Sequence, residues 1–87
     1  MLRKRQADVT SRVVGGEHVL LDRDAGLIHQ FNLTASFIWD GCDGRSTVDD
    51  IAARLTERFD VDPGVARNDV AAVVRQLFDL NLLDTNE

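Results

Sequence analysis

Two kinds of hydrophobic spacing divide the chain near residue 32. From Val9 to Phe31 the apolar residues recur at intervals close to two, interrupted by the turn-forming residues Gly15-Gly16 and Asp24-Ala25-Gly26. This spacing predicts three short strands, which are antiparallel because glycine-rich turns join neighbours. The predicted strands are Val9–Val14, His18–Arg23 and Leu27–Phe31.

Beyond Asn32 the spacing becomes helical and predicts three helices, each with its own start signal. Asn32 or Thr34 can cap the first helix, and Ser46 with Asp49 resembles a capping box for the second. Asp62 caps the third, which opens with a proline that is tolerated because the first helical amide has no intrahelical partner. The helices are expected at Leu33–Cys42, from Ser46 to about Phe59, and at Pro63–Leu80. A three-stranded antiparallel sheet followed by three helices is an α+β arrangement, similar to a winged helix-turn-helix.

The third predicted helix is apolar over an arc wider than packing against one neighbour requires. One stripe accounts for core packing and consists of Ala66, Val70, Val73, Leu77 and Leu80. A second stripe, which we call the shoulder, has no evident partner within the chain. It consists of Ala71, Val74 and Phe78, with Arg67 and Arg75 near its edges.

Length and charge limit the class of protein. A chain of 87 residues that is 44% hydrophobic supports one small core. We expect a basic N-terminal tail, residues 1–8, followed by a single domain, residues 9–87. Three of the ten basic residues lie in the first five positions, so the remainder carries seven basic and fifteen acidic residues, a net charge of −8. Such an acidic surface disfavours nucleic-acid binding.

The number of cysteines and the composition of the N-terminus indicate the cellular compartment of the protein. Cys42 is the only cysteine, which excludes an internal disulfide and favours a reducing environment. The basic N-terminus is not followed by an apolar run, so neither a secretory signal nor a membrane-spanning helix is expected. We therefore predict a cytoplasmic protein that does not insert into a membrane.

Residues that could carry chemistry have ordinary structural explanations. His18, His29 and Cys42 lack the short paired spacing of a metal site, and the end of a helix disfavours a Cys42 thiolate. Two pairs of carboxylates stand where acidic residues are common, in a turn and in the first turn of a helix: Asp22 with Asp24, and Asp49 with Asp50. We therefore expect no metal, no cofactor and no catalytic activity.

The last predicted strand stands at the edge of the sheet, with no lysine, proline or inward-pointing charge to protect it. Its residues are Leu27, Ile28, His29, Gln30 and Phe31. Together with the shoulder, this edge predicts a groove in which a foreign peptide is held by backbone hydrogen bonds and by pockets for alternate side chains. The alternative is that the shoulder packs on the first helix and the N-terminal tail covers the edge.

Three segments resemble the PqqD-like family, named for the coenzyme pyrroloquinoline quinone (PQQ) synthesis protein D. They are HVLLDRDAGLIHQFN, NLTASFIWDGCDGRSTVDDIAARLTERF and DVAAVVRQLFDLNLL, and the most specific part is Asn32-Leu33-x-Ala35 with Trp39 and Asp43-Gly44. The resemblance implies a winged-helix-like domain whose third strand accepts the leader of a ribosomally made precursor peptide beside the last helix. It also implies that the chain delivers the peptide to a modifying enzyme, which for the name-giving member is a radical S-adenosylmethionine protein.

Carried onto this chain, the resemblance places the peptide at Leu27, Ile28, His29, Gln30, Phe31, Arg67, Ala71, Val74, Arg75 and Phe78. The turn at residues 22–26 departs from the acidic-aromatic turn usual in quinone synthesis and is also similar to recognition domains of lasso-peptide clusters. PQQ biosynthesis is the leading expectation, and a lasso-peptide or other peptide-modification pathway is the alternative. A winged-helix DNA-binding regulator is the alternative from another class, and both a monomer and a homodimer are compatible with the sequence.

Overall fold

The computed structural model describes residues 1–85, which form six strands and three helices. In chain order they are β1 (Leu2–Lys4), β2 (Val9–Val14), β3 (Glu17–Asp22), β4 (Leu27–Gln30), α1 (Leu33–Gly41), β5 (Asp43–Ser46), α2 (Val48–Phe59), α3 (Pro63–Asp79) and β6 (Leu83–Thr85). Two antiparallel sheets have the strand orders β2-β3-β4 and β5-β1-β6, and we call them the meander sheet and the small sheet. The predicted α+β class, with a meander before three helices, is confirmed.

The meander sheet is formed by the three strands that the period-two spacing predicts. Val14 pairs with Glu17, so the connection between β2 and β3 is the two-residue turn Gly15-Gly16. Both glycines have positive φ angles, +60° and +83°, as this kind of hairpin turn requires. The last strand ends at Gln30, one residue earlier than predicted.

The small sheet is not predicted by the hydrophobic pattern. Its middle strand is β1, which lies in the segment expected to be a basic tail and pairs with β5 on one side and β6 on the other. The hydrogen bonding continues at Arg5, whose backbone N–H donates to the Leu82 carbonyl at 2.9 Å. Residues 2–5 are therefore hydrogen-bonded into the fold.

The first and third helices begin at the predicted caps. Asn32 Oδ1 accepts a hydrogen bond from the Ala35 N–H at 2.8 Å, which identifies Asn32 rather than Thr34 as the first cap. Asp62 caps α3, and Pro63 occupies the start of that helix. These caps satisfy amides that have no partner within the helix, so the helix starts are determined locally.

The second helix begins one residue later than predicted. Thr47 and Asp50 form its capping box, with the Asp50 N–H donating to Thr47 Oγ1 at 3.2 Å and the Thr47 N–H donating to Asp50 Oδ2 at 3.0 Å. The expected pair, Ser46 with Asp49, does not form the box because Ser46 is the last residue of β5. The Ser46 hydroxyl is buried and accepts a hydrogen bond from Arg54.

The core lies between one face of the meander sheet and the helices. Leu20 in the central strand, Ile38 in α1 and Ile51 in α2 are all fully buried, and α2 packs along α3. From the stripe predicted for the third helix, Ala66, Val70 and Leu77 are buried, Val73 is partly buried and Leu80 is exposed. Among the helices described, none is long and apolar enough to cross a bilayer.

Candidate functional site

The candidate site begins with β4, which is an edge strand of the meander sheet. It pairs with β3, with Leu27 opposite Asp22 and Gln30 opposite Val19. Within residues 1–85, no strand pairs with its other flank. The strand also lacks lysine and proline, which commonly protect an exposed edge. An accessible row of backbone groups is therefore present on this flank.

The alternation of hydrogen bonds identifies which backbone groups of β4 point outward. The Phe31 N–H donates to the His18 carbonyl at 2.9 Å, across the ladder between β3 and β4. Because bonded and non-bonded pairs alternate in an antiparallel ladder, the next residue of β4 that bonds to β3 is His29. Ile28 and Gln30 belong to non-bonded pairs, so their N–H and C=O groups point away from β3. The edge thus offers two donors and two acceptors to another chain.

The side chains of β4 alternate between the two faces of the sheet. His29 lies opposite the fully buried Leu20, so Leu27 and His29 project toward the face that carries the core. Ile28 and Gln30 project to the opposite face. Ile28 is 72% exposed and Leu27 is 50% exposed, which leaves an apolar strand largely uncovered. The His29 Nε2 atom is buried without a hydrogen-bond partner among the described residues.

Phe31, a predicted groove residue, is part of the core. Its side chain is only 9% exposed and its ring packs edge-to-face against Trp39, with centroids 5.8 Å apart. Its N–H is bonded to His18, and its carbonyl accepts a hydrogen bond from the Ser36 hydroxyl at 3.2 Å. The part of the edge with free backbone groups therefore ends at Gln30.

The shoulder residues of α3 differ in depth. Val74 is buried and belongs to the core cluster, whereas Ala71 and Arg75 are exposed. Phe78 is 37% exposed, so part of its ring is available at the surface. The helical spacing predicted the direction of these side chains, and the packing decides which of them a ligand can reach.

Arg67 lies at the other end of the shoulder. Its guanidinium Nη2 is 2.9 Å from Asp49 Oδ1, near the start of α2, and both side chains are exposed. Exposed pairs of this kind are weak, because water and salt screen the attraction. The pair with Asp49 therefore contributes little to the stability of the fold.

Arg5 ties the end of α3 to the start of the edge strand, a role that the sequence does not indicate. Its Nη2 donates to Asp22 Oδ1 at 2.6 Å, and its Nη1 donates to the Asn81 carbonyl at 2.9 Å. Asp22 lies opposite Leu27 in the sheet, and Asn81 follows α3 by two residues. One guanidinium therefore joins the segment that follows α3 to the last residue of β3, which pairs with Leu27 at the start of β4.

Asp22 is a structural carboxylate. Besides the bond from Arg5, its Oδ1 accepts the N–H groups of Asp24 and Ala25, each at 3.1 Å. The hydrogen bond from Arg5 and that from Ala25 lower the pKa of Asp22, and the same contact with Asp22 raises the pKa of Arg5. Both groups are therefore charged at neutral pH, and the pair fixes the turn that leads into β4.

The remaining candidate chemical groups are held within the fold. Burial raises the pKa of the Cys42 thiol to about 11, and its Sγ contacts the Ile38 carbonyl at 3.3 Å. His18 Nε2 lies 2.8 Å from Asp40 Oδ1 on α1. Among the residues described, no group of three His, Cys, Asp or Glu side chains could hold a metal ion. Cys42 is thus protonated at neutral pH and shielded from solvent.

The chain is similar to known proteins in both sequence and fold. A solved structure described as lasso peptide synthetase B1 complexed with the leader peptide is 27% identical, with a TM-score of 0.84, over 97% of this chain and 98% of that chain. Another, described as TbiB1 in complex with the TbiA(beta) leader peptide, is 23% identical and shares the fold with a TM-score of 0.83, over the same 97% and 98%. No curated protein sequence matches significantly. The family model for coenzyme PQQ synthesis protein D (PqqD) matches residues 17–83. Because this match runs from β3 to the start of β6, the chain belongs to the PqqD family.

Proposed function

We propose that this chain binds the leader segment of a ribosomally made precursor peptide, which it accepts as an antiparallel strand on the free flank of β4. The observation that carries the proposal is the outward orientation of the Ile28 and Gln30 backbone groups beside exposed apolar side chains. Membership of the PqqD family supports it, as do the leader peptides named in the descriptions of the two similar structures.

The second part of the proposal is that the chain presents the leader to a modifying enzyme and supplies no chemistry itself. The buried Cys42 thiol, with its raised pKa, is unsuited to nucleophilic attack at neutral pH. A cytoplasmic location stays a prediction from the sequence.

The proposal extends to the biosynthetic pathway that the leader peptide belongs to. Alignment of nearly the whole chain with lasso peptide synthetase B1, at 27% identity, favours a lasso-peptide type of leader over a quinone precursor. The enzyme partner is then one of lasso-peptide maturation, whereas a quinone precursor implies a radical S-adenosylmethionine protein. Comparing the affinities of leaders from the two pathways for this chain would separate these alternatives.

Amide hydrogen exchange tests the strand addition. In the free protein the outward-pointing amides of Ile28 and Gln30 should exchange rapidly, while the amide of His29, bonded to β3, should be protected. Addition of the TbiA(beta) leader should slow exchange at Ile28 and Gln30. At a leader concentration 100 times Kd the effect should reach roughly 100-fold.

A peptide of the same composition in scrambled order is the control and should leave both amides exposed. If a leader binds but protects only amides elsewhere, for example in α2, while Ile28 and Gln30 still exchange rapidly, the peptide does not add to β4 and the proposal is wrong.

A further inference from the structure

The face of the meander sheet that points away from the helices carries a strip of apolar residues. The register places Val19 and Leu21 of β3 on this outer face, together with Val14 of β2 and Ile28 of β4. Leu21 is 39% exposed, Val14 is 60% exposed and Ile28 is 72% exposed. An antiparallel sheet that packs its core on one side usually presents polar residues on the other. The free edge of β4 and the shoulder, which form the expected peptide groove, do not explain why these residues are apolar.

The outer face is also concave. A hollow of about 530 Å³ lies over the sheet, and its lining includes Val19, Leu21 and Ile28. The lining reaches β2 through Thr10 and Arg12, so the hollow crosses all three strands. Its apolar floor therefore continues without interruption from the middle of the sheet to the free edge at β4.

The backbone geometry connects this hollow to the free edge. Ile28 directs both its free N–H and C=O groups toward the edge, while its side chain projects onto the outer face. In an antiparallel ladder, residues that exchange hydrogen bonds lie about 5.5 Å apart at Cα and project their side chains to the same face. A guest residue bonded to Ile28 therefore places its side chain beside Ile28, at the open end of the hollow. The guest residues on either side of it project to the core side.

We propose that the outer face selects the side chain of the guest residue paired with Ile28, and that peptides bound here carry an apolar, β-branched or aromatic residue at that position. This inference rests on the proposed strand addition. An apolar guest side chain would cover Ile28 and extend the strip formed by Val19 and Leu21. A charged side chain would lose water against the apolar surface of Val19, Leu21 and Ile28, and this loss disfavours it at that position.

The test uses a displayed library of random 12-residue peptides, selected against the full-length chain. The wild-type protein should enrich peptides in which polar and apolar residues alternate. One position whose side chain lies on the outer face should be apolar. An Ile28→Lys variant should enrich Asp or Glu at that position and keep the preferences at the inward positions. Val13→Lys places the same charge at an exposed position of β2 that lies opposite His18, on the other face of the sheet, so it is the matched control and should reproduce the wild-type motif.

A second variant covers the case in which Ile28→Lys fails to fold, as judged by circular dichroism. Ile28→Thr keeps the β-branched shape and removes apolar surface, so it should bind the wild-type motif about fivefold more weakly. If all variants enrich one motif regardless of residue 28, strand addition stands and selection by the outer face is refuted. If the wild-type chain enriches no peptide, strand addition itself fails and this inference fails with it.

Discussion

Replacement of Gln30 by proline tests one backbone hydrogen bond that the proposed strand addition requires between β4 and a leader peptide. The Gln30 N–H points away from β3, so its loss removes no bond from the ladder that the protein makes by itself. Edge strands accept proline on their free side, and the preceding residue, His29, already has the extended conformation that proline favours. The variant should therefore fold, with a change in unfolding free energy of less than about 1 kcal/mol.

The expected loss of affinity follows from the group left without a partner. In the proposed complex a leader carbonyl accepts a hydrogen bond from the Gln30 N–H, and in the variant that carbonyl would be buried against a proline ring. An unsatisfied buried acceptor costs about 1–3 kcal/mol. This corresponds to binding weakened roughly 5- to 150-fold.

The assay is fluorescence anisotropy of a labelled leader peptide at constant salt, with thermal denaturation as the check on folding. Gln30→Ala removes the side chain but keeps the N–H, so its Kd should stay within about twofold of the wild-type value. His29→Pro removes an N–H that bonds to β3, and it should destabilise the free protein by about 1–3 kcal/mol. Equal affinity of Gln30→Pro and Gln30→Ala for the leader would refute the assignment of Gln30 as an outward donor.

Four further predictions concern the shoulder, the Arg5 contact, a helix cap and the cysteine. Phe78→Glu should weaken leader binding about tenfold by placing a charge in an apolar groove, whereas Phe78→Leu should bind normally, with both affinities measured by anisotropy. Because the pKa of Asp22 is lowered in the folded state, its contribution to stability is present above the unfolded pKa and is lost as pH falls below about 4. Urea denaturation should therefore show Arg5→Met less stable than wild type at pH 7, with the difference shrinking in acid; a constant difference from pH 7 to pH 2 would contradict this. Thr47→Ala should lower stability by about 1 kcal/mol, or about 4–8 °C in Tm, without changing leader affinity. Iodoacetamide at pH 8 should leave Cys42 unmodified in the folded protein and alkylate it in denaturant, as measured by mass spectrometry, because burial raises the pKa of the thiol to about 11.

The sequence by itself determined the features that depend on residues close together in the chain. The Gly15-Gly16 turn and the caps at Asn32 and Asp62 involve contacts over a few residues, so their chemistry is visible in the spacing. The alternation of more buried and less buried side chains along β3 likewise follows from the geometry of one element. These local signals were enough to predict the meander, the three helices and the edge strand.

The spacing of apolar residues predicts the direction in which a side chain points. It does not predict how deeply that side chain is buried. The spacing placed Phe31 and Val74 among the expected groove residues, yet both are buried in the core. Ile28 is far more exposed, although it is equally apolar. How much of a side chain stays at the surface depends on which element covers it, and no periodicity contains that information.

The tertiary structure alone decided the contacts that join distant parts of the chain. The small sheet brings β1 between β5 and β6, and Arg5 joins Asp22 to Asn81. Partners separated by 17 and 76 positions leave no mark in the local spacing of apolar and polar residues. Their pairing results from packing of the whole domain, because it is the positions of the sheets and helices that bring a basic N-terminal residue to a buried carboxylate.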